Sequence, residues 1–371
     1  MHTTEDGTSN YTNHPVVNPR TGVTHNGWTA VMLTYMRSNN VTPDFLICHD
    51  YAPGNGDANN LLWTKTWAGH ATSMRQMLND YLGSNLATNV ELNATEFGPE
   101  ADKQYISLVG GLFYADTIGQ VLQTEFNSLL WWDLRNGQGT VANSDNALYG
   151  WRTNIAGIPL TDGGILNGPA LPPNPNCYPS YYCMKLMQHF ARGGDTVVAV
   201  TNDYKFIGTY AVRRISGALT LLVVNKSSYA SLNATISLAG YEPSKIATVY
   251  SYGIPQDKAA LTGVGSMDLL QTNFTSAGAN FTYTFPPYSA VVLSLIPKAP
   301  LLAVSSDSSL SGQFVFHLQG QPGVPYLIQS SPDLANWTSV ATNLLAGGTQ
   351  DVTNAINPSL RAQFWRAAWL P

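Results

Sequence analysis

The sequence predicts an α/β region followed by two all-β regions. Helical and strand-like patterns alternate between Gly27 and Asp133, which is typical of a parallel α/β arrangement. From Asp195 onward, short runs rich in β-branched residues are separated by turn residues, a pattern typical of an antiparallel β-sandwich. Residues 297–300 (Pro-Lys-Ala-Pro) read as a linker, and residues 301–371 are strand-rich again, as in a second small β-sandwich. We therefore expect three units, at 1–192, 193–297 and 298–371.

The α/β region is predicted to contain four helices and three strands. Residues 1–26 are polar, rich in Asn, Thr and Pro, and read as a long loop. After residue 26, segments whose apolar residues recur at helical spacing alternate with apolar segments that are predicted to be buried strands. Each of these strands ends in polar residues. The predicted order is a helix at 27–39, a strand at 43–51, a helix at 63–82, a strand ending at Glu96, a helix at 104–122, a strand at 128–133, a loop at 135–180 and a helix at 181–190.

The first all-β region is predicted from short apolar runs between turns. Each run is a few residues long and rich in Val, Ile, Thr, Leu or Tyr, as half-buried strands are. The predicted strands are 196–201, 210–215, 219–225, 234–238, 246–251 and 290–295.

The composition of the 371-residue chain suits an extracellular protein that handles neutral polymers. Charged residues make up 11% of the chain, against about a quarter in an average protein. Aromatic residues also reach 11%, with 9 Trp and 19 Tyr. The net charge of −5 offers no basic surface, so nucleic acid is not an expected partner. No apolar run approaches the roughly 18 residues that span a bilayer, so no membrane contact is expected.

The expected location is the cell surface or the extracellular space. The N-terminal residues 1–6 are polar and carry no signal peptide, so an export signal would lie upstream or have been removed. Cys177 and Cys183 are close enough in sequence to close a small disulfide loop in an oxidising compartment, whereas Cys48 lies in an apolar strand and is expected to be a buried thiol. No Cys/His cluster has zinc-site spacing, and no cofactor is expected.

Three predicted strand ends carry the chemistry. They read His49-Asp50-Tyr51, Thr95-Glu96-Phe97 and Trp131-Trp132-Asp133, and the carboxyl ends of parallel strands meet at one edge of a sheet or barrel. Retaining glycoside hydrolysis needs a carboxylate nucleophile and a second carboxyl as acid/base, about 5–5.5 Å apart. The chain offers the nucleophile, a Tyr and a His beside it and an aromatic platform, but no clear second carboxyl. A lone Glu at a strand end can also be a structural ion-pair partner.

The order and spacing of these motifs, over about residues 25–297, resemble those of clan A glycoside hydrolases that carry a C-terminal β-sandwich. The likeness is to the family 51 α-L-arabinofuranosidases, and families 30, 39 and 44 share the same general pattern. It implies a partial (β/α)8 barrel, about strands six to eight, followed by the sandwich. Residues 285–293 (FPPYSAVVL) resemble the C-terminal end of that sandwich in these enzymes.

The resemblance also implies roles for single residues. Thr95-Glu96-Phe97-Gly98 resembles the nucleophile motif at the end of strand seven, which makes Glu96 the expected nucleophile. His49-x-Tyr51 resembles the strand-six motif, in which the Tyr bonds the nucleophile and the His lines the sugar site. Leu130-Trp131-Trp132-Asp133 resembles strand eight, with Trp132 as the stacking residue. Asp133 is expected either to contact substrate or to pair with Arg135.

The chain departs from the clan pattern in one respect. The clan's acid/base Glu follows an Asn at the end of strand four, and no Asn-Glu pair occurs in this sequence. A barrel that begins after strand five leaves unpaired strand edges and exposed apolar surface. The chain would then be a fragment, or would need self-association or a partner chain to complete the barrel. The leading expectation is a retaining glycosidase acting on an oligo- or polysaccharide of plant type.

Two other functions remain open at this point. One is a non-catalytic carbohydrate-binding or surface protein derived from such an enzyme, and the other is an enzyme with an unrecognised carboxyl pair. Residues 325–371 resemble a small module found at the C-termini of secreted proteins of environmental bacteria. Two roles are expected for its tryptophans, Trp337, Trp365 and Trp369: a sugar-binding platform or core packing. Core packing is the more frequent role of aromatic residues in small domains.

Overall fold

The structure is a computed structural model. It describes residues 5–6, 14–53, 56–99, 104–135, 148–150, 163–166, 177–310 and 312–370, with the backbone alone for 305–310.

The first region alternates helices with strands. A short hairpin is followed by helices and parallel strands, and a 3-10 turn (Thr64–Thr66) separates the second helix from the third. In chain order the elements are β1 (Val16–Val17), β2 (Thr24–His25), α1 (Trp28–Ser38), β3 (Phe45–Tyr51), α2 (Asp57–Trp63), α3 (Trp67–Leu82), α4 (Ser84–Ala87), β4 (Glu91–Gly98), α5 (Leu108–Val121), β5 (Phe126–Trp131) and α6 (Pro179–Phe190).

Strands β3, β4 and β5 form a parallel three-stranded sheet with β4 in the centre. Successive side chains of a strand point to opposite faces. In β3, Leu46, Cys48 and Asp50 are buried, and we call their side of the sheet the helix face. On the other side, Phe45 and Ile47 are exposed by 54% and 43%. We call that side the open face. In the described part of the chain, this side of the sheet thus leaves apolar side chains facing solvent.

The second region is built from strands and one helix. It comprises β6 (Thr196–Val198), β7 (Ile207–Arg213), β8 (Leu219–Asn225), β9 (Leu232–Ser237), β10 (Pro243–Gly253), α7 (Ile254–Thr262), β11 (Leu270–Phe274), β12 (Asn280–Phe285) and β13 (Ser289–Pro297). A six-stranded antiparallel sheet has the order β11-β10-β13-β8-β7-β6, and β12 pairs with β9.

Strand β8, one of the two central strands of this sheet, is buried along its whole length. Leu222 and Val224 belong to the core shared with the helices of the first region. Leu221 and Val223 belong to a second core, which the six-stranded sheet shares with the β9–β12 pair. Because both faces of β8 are covered, its sequence is a continuous apolar run rather than an alternating one.

The third region consists of two three-stranded sheets around a small core. Its strands are β14 (Leu301–Leu310), β15 (Gln313–Gln319), β16 (Val324–Ser331), β17 (Thr338–Leu345), β18 (Thr349–Ala355) and β19 (Phe364–Trp369). The chain is therefore a mixed α/β and strand-rich protein. The partial barrel and the two β-sandwiches are our interpretation of these layers.

A buried ion pair joins the first region to the second. Lys226, which directly follows β8, places its Nζ 2.5 Å from Oδ2 of Asp116 in α5, and both side chains are fully buried. The same carboxylate accepts hydrogen bonds from Thr64 and from the hydroxyl of Tyr210, the latter at 2.8 Å. A buried charge is tolerated only when it is paired and hydrogen-bonded, and this network meets that condition.

In the first region, β1 and β2 lie in the segment that was expected to be a loop, and α2 and α4 were not predicted from the sequence. Three elements of the second region were not predicted either. Helix α7 is short and weakly amphipathic; it begins with a proline in its first turn and ends at Gly263 in the left-handed conformation. Strand β11 is largely polar, lies at a sheet edge and exposes most of its residues. Strand β12 instead alternates polar and aromatic residues and buries Phe281 and Phe285 in the second core. The expected disulfide is wrong: Cys177 and Cys183 are free thiols, as is the buried Cys48.

In the described part of the chain, no helix is long and apolar enough to cross a membrane.

Candidate functional site

The face on which Glu96 lies is decided by an irregularity in β4. Leu92 and Ala94 point to the helix face and are fully buried. Strict alternation from these two residues would also place Glu96 on the helix face, among apolar side chains. The side chain of Glu96 is instead 23% exposed.

A β-bulge at Thr95 explains the difference. Cys48 of β3 lies opposite Ala94, yet the next residue, His49, lies opposite Glu96. The pairing of β4 with β5 shifts in the same interval. One extra residue in a strand reverses the faces of all that follow, so Glu96 comes to the open face and Phe97 to the helix face.

Phe97 and Gly98 hold the end of β4 in place. Phe97 is fully buried, with its ring edge-on to Trp67 and Trp131. Gly98 lies against Tyr105, whose hydroxyl would be 2.0 Å from a Cβ at that position. Glycine is therefore required there by a close approach, and the strand end carrying Glu96 is fixed from behind.

Two donors converge on one oxygen of Glu96. The hydroxyl of Tyr51 donates a hydrogen bond to Oε2 at 2.8 Å. Nδ1 of His49 lies 3.2 Å from the same atom. Neither contact involves Oε1. Burial, and then the hydrogen bond and charge of Glu96, raise the pKa of Tyr51 above its ordinary value, so the hydroxyl stays protonated and remains a donor at neutral pH.

The end of β5 lies beside this group. Trp131 packs edge-on against Phe97, Tyr105 and Tyr114, and its indole N–H donates to the Gly163 carbonyl. Trp132 follows the strand and is 45% exposed. Of the two, Trp132 thus has the free ring surface that stacking requires.

Asp133 continues the same edge of the sheet. Its backbone N–H donates to the Gly163 carbonyl, and its own carbonyl accepts from the N–H of Ile165. Burial and the contact with Glu96 raise the pKa of Tyr51 most, and the charge of Asp133 adds a smaller contribution.

On the helix face, directly behind the site, lies a carboxylate that the sequence did not single out. Asp50 stands between His49 and Tyr51 and is only 1% exposed. Both of its oxygens accept from the indole N–H of Trp63, at 3.2 Å each. Nδ1 of His70 lies 3.4 Å from Oδ2. In the sequence, only strand parity could have drawn attention to the buried Asp50.

The tryptophans of the third region have different environments. Trp365 stacks on Phe314, and the indole N–H of Trp369 donates to the carbonyl of Ser216 in the second region. Both rings also pack against the small core. The ring of Trp337 is covered by the guanidinium of Arg366, 4.2 Å from the ring centre.

Two further observations concern the rest of the described chain. No group of three or more His, Cys, Asp or Glu in the described residues could hold a metal ion. A cavity of about 670 Å³ lies between the second and third regions, where Tyr241, Lys298 and Gln321 line it. It includes none of the predicted site residues, so the candidate site is defined by chemistry and not by cavity size.

Comparison with known proteins gives a likeness of fold. No family model and no curated protein matches the chain. The α-L-arabinofuranosidase of Thermotoga maritima, solved as its arabinose complex, is 14% identical with a TM-score of 0.50 over 72% of this chain and 55% of that one. At this identity the likeness concerns the fold alone.

Two other solved structures are similar at slightly lower scores. A bifunctional glucanase–xylanase from a metagenome library is 17% identical, with a TM-score of 0.49 over 73% of this chain and 48% of that one. A family 44 xyloglucanase of Paenibacillus polymyxa is 16% identical, with a TM-score of 0.49 over 73% and 51%. The chain thus spans about half the length of these glycoside hydrolases.

Proposed function

We propose that this chain carries the nucleophile half of a retaining glycoside hydrolase that acts on plant-type oligo- or polysaccharide. The observation that carries the proposal is the convergence of Tyr51 and His49 on Oε2 of Glu96 at the carboxyl end of a parallel sheet. A carboxylate held in this way presents a fixed oxygen to a substrate on the open face.

In the proposed reaction, an oxygen of Glu96 attacks the anomeric carbon. A bond forms between them while the bond to the leaving oxygen breaks, and the leaving oxygen takes a proton from an acid. Water, deprotonated by the same group acting as a base, then cleaves the glycosyl-enzyme ester and restores Glu96. Tyr51 would fix the carboxylate, and His49 would bond both the carboxylate and a sugar hydroxyl.

The neighbouring residues supply binding. The exposed ring of Trp132 would stack on a sugar face, since sugars present apolar C–H surfaces to aromatic rings. Asp133 would accept hydrogen bonds from sugar hydroxyls. The finer alternatives of α-L-arabinofuranosidase or β-glycanase activity depend on which sugar fits between Trp132 and Glu96.

We place the acid/base group on polypeptide outside this chain. The clan motif that would supply it is lacking in this sequence. Strands β3 and β5 are the edges of the sheet, where strands of a second copy or a partner chain would pair to complete the barrel. They would also enclose the open face with its exposed Phe45 and Ile47. Secretion or cell-surface display fits a polymeric substrate that cannot enter a cell.

The test uses substrates that do not need the acid. The 2,4-dinitrophenolate ion leaves without protonation, so a nucleophile alone can form the ester. We would incubate the chain with 2,4-dinitrophenyl β-cellobioside, β-xylobioside and α-L-arabinofuranoside and search for a glycosyl adduct by peptide mass spectrometry. The expected result is an adduct on Glu96 with at least one probe, and none in Glu96→Gln.

Glu91→Gln is the matched control, because Glu91 begins the same strand and is exposed at its opposite end. It should label like the wild type. If no probe labels Glu96 while the chain still binds xylan or xyloglucan in a pull-down, the non-catalytic carbohydrate-binding function replaces the proposal.

A further inference from the structure

Asp50 is an unusual residue for its place in the fold. Its neighbours on the helix face of β3, Leu46 and Cys48, are apolar and buried. A carboxylate among them costs free energy unless hydrogen bonds replace its hydration. An apolar side chain would fill the same space without that cost, so the polar contacts of Asp50 need a local explanation.

Those contacts tie the end of β3 to two helices. Trp63 is the last residue of α2, and its indole N–H is equidistant from the two oxygens of Asp50, at 3.2 Å. His70 belongs to the first turn of α3 and places Nδ1 3.4 Å from Oδ2. The carboxylate therefore bridges both helices to one point of the strand.

The two donors are themselves held by packing. His70 lies edge-on to Trp63, with ring centres 6.4 Å apart, and to Trp67, with ring centres 5.9 Å apart. Trp67 is fully buried and also contacts Phe97, the residue after Glu96. The group behind the sheet therefore reaches the ends of both strands that form the site.

The position of Asp50 in β3 makes this bridge relevant to Glu96. Its two neighbours along the strand, His49 and Tyr51, point to the open face and are the donors to Oε2. The register of β3 against β4 shifts at Cys48–His49, so the regular ladder alone does not fix this end of the strand. A small rotation of the backbone at Asp50 would move both donors at once.

We infer that Asp50, held by Trp63 and His70, is a positioning residue that aligns His49 and Tyr51 with the carboxylate of Glu96. The predicted effect of Asp50 on labelling rests on the proposed function, because it assumes that Glu96 is the nucleophile. The predicted effect of Asp50 on the positions of His49 and Tyr51 does not rest on it. Asp50 acts from the opposite face of the sheet and does not touch the substrate.

The test compares three variants with a matched control. Asp50→Asn keeps the shape and removes the charge, Trp63→Phe removes the indole N–H, and His70→Gln removes the imidazole. Asp80→Asn is the control: Asp80 is also buried in this region but bonds Arg20 away from the site. Trp63→Phe and His70→Gln keep the test decisive if Asp50→Asn does not fold.

Two readouts separate geometry from chemistry. The first is the ring N–H resonance of His49 in a ¹⁵N-histidine spectrum, which reports its contact with Glu96. The second is the rate of Glu96 labelling by the dinitrophenyl glycoside that labels the wild type, measured below the melting temperature of each variant. We expect a shifted His49 resonance and labelling slowed about 10- to 100-fold, the scale of a small misplacement of reacting groups. Asp80→Asn should lower stability and leave both readouts unchanged.

The outcomes are distinct. If the wild type is not labelled, the proposed function fails, and the His49 resonance alone then supports or overturns the positioning role. If the folded variants keep the wild-type resonance and labelling rate, or if Asp80→Asn changes them equally, Asp50 is a structural residue only and the inference is overturned.

Discussion

The hydroxyl of Tyr51 lies 2.8 Å from Oε2 of Glu96, although 45 residues separate them in the chain. Adjacent parallel strands bring the two together, and the bulge in β4 turns Glu96 toward Tyr51. This contact links the backbone irregularity of the sheet to the proposed chemistry.

Replacing Tyr51 by Phe should slow the labelling of Glu96 without unfolding the chain. Tyr51 fixes the position of the attacking carboxylate, and a small misplacement of a reacting group costs up to about 100-fold in rate, so the labelling rate should fall about 10- to 100-fold. The rate of adduct formation with a dinitrophenyl glycoside measures this. Tyr35→Phe is the control, because Tyr35 is exposed on α1, and equal rates in wild type and Tyr51→Phe would contradict the prediction.

Lys226→Met should be strongly destabilising. It leaves the carboxylate of Asp116 buried without its cation, and breaking a buried pair on one side costs about 3–5 kcal/mol. Urea denaturation at neutral pH measures the free energy of unfolding. Lys298→Met removes the exposed pair with Glu242 and should cost under about 1 kcal/mol. If the free energy of unfolding fell as little for Lys226→Met as for this control, the buried pair of Lys226 and Asp116 would add little stability.

The three thiols should differ in reactivity. Burial, with the charge of Asp50, raises the pKa of Cys48 to about 12, and burial also raises that of Cys183. Only the thiolate reacts, so at pH 8 a disulfide reagent should modify the half-buried Cys177 first and the other two only on unfolding. In denaturant without reductant, three thiols should titrate in total; a count of one would restore the disulfide between Cys177 and Cys183.

Gly217→Ala should loosen the third region from the second. Gly217 has a φ of +86°, and a Cβ there would lie 2.5 Å from Cγ2 of Val324 in β16. Tryptic cleavage after Lys298 should therefore become faster in the variant. The control Gly263→Ala distinguishes backbone strain from the clash with Val324. Gly263 has a similar φ of +70°, but nothing lies within 4 Å of an added Cβ. Equal cleavage in both variants would mean that backbone strain, not the contact with Val324, is responsible.

Much of the secondary structure could be predicted because its signals are local. The apolar spacing of α1 and the apolar run of β3 need no information from distant residues. That run was expected to be buried, but the structure exposes its alternate residues Phe45 and Ile47. The predicted helix at 63–82 is interrupted by the 3-10 turn at Thr64–Thr66, where Thr64 bonds the distant Asp116. The polar edge strand β11 carried no such signal, since an edge strand does not need apolar residues on both faces. Strand β12 does alternate polar and aromatic residues, the pattern of a strand with one buried face.

Residue types and their positions along the chain were enough to predict the groups of the candidate site: a carboxylate, a Tyr, a His and a Trp at the ends of predicted strands. How these groups meet depends on the packing of the folded chain. This packing turned Glu96 to the open face through one extra residue at Thr95, and it placed Asp50 behind the site on Trp63 and His70. The reason is physical. Residue type and periodicity are properties of neighbouring residues, whereas strand register and buried polar contacts are set by packing between segments far apart in the chain.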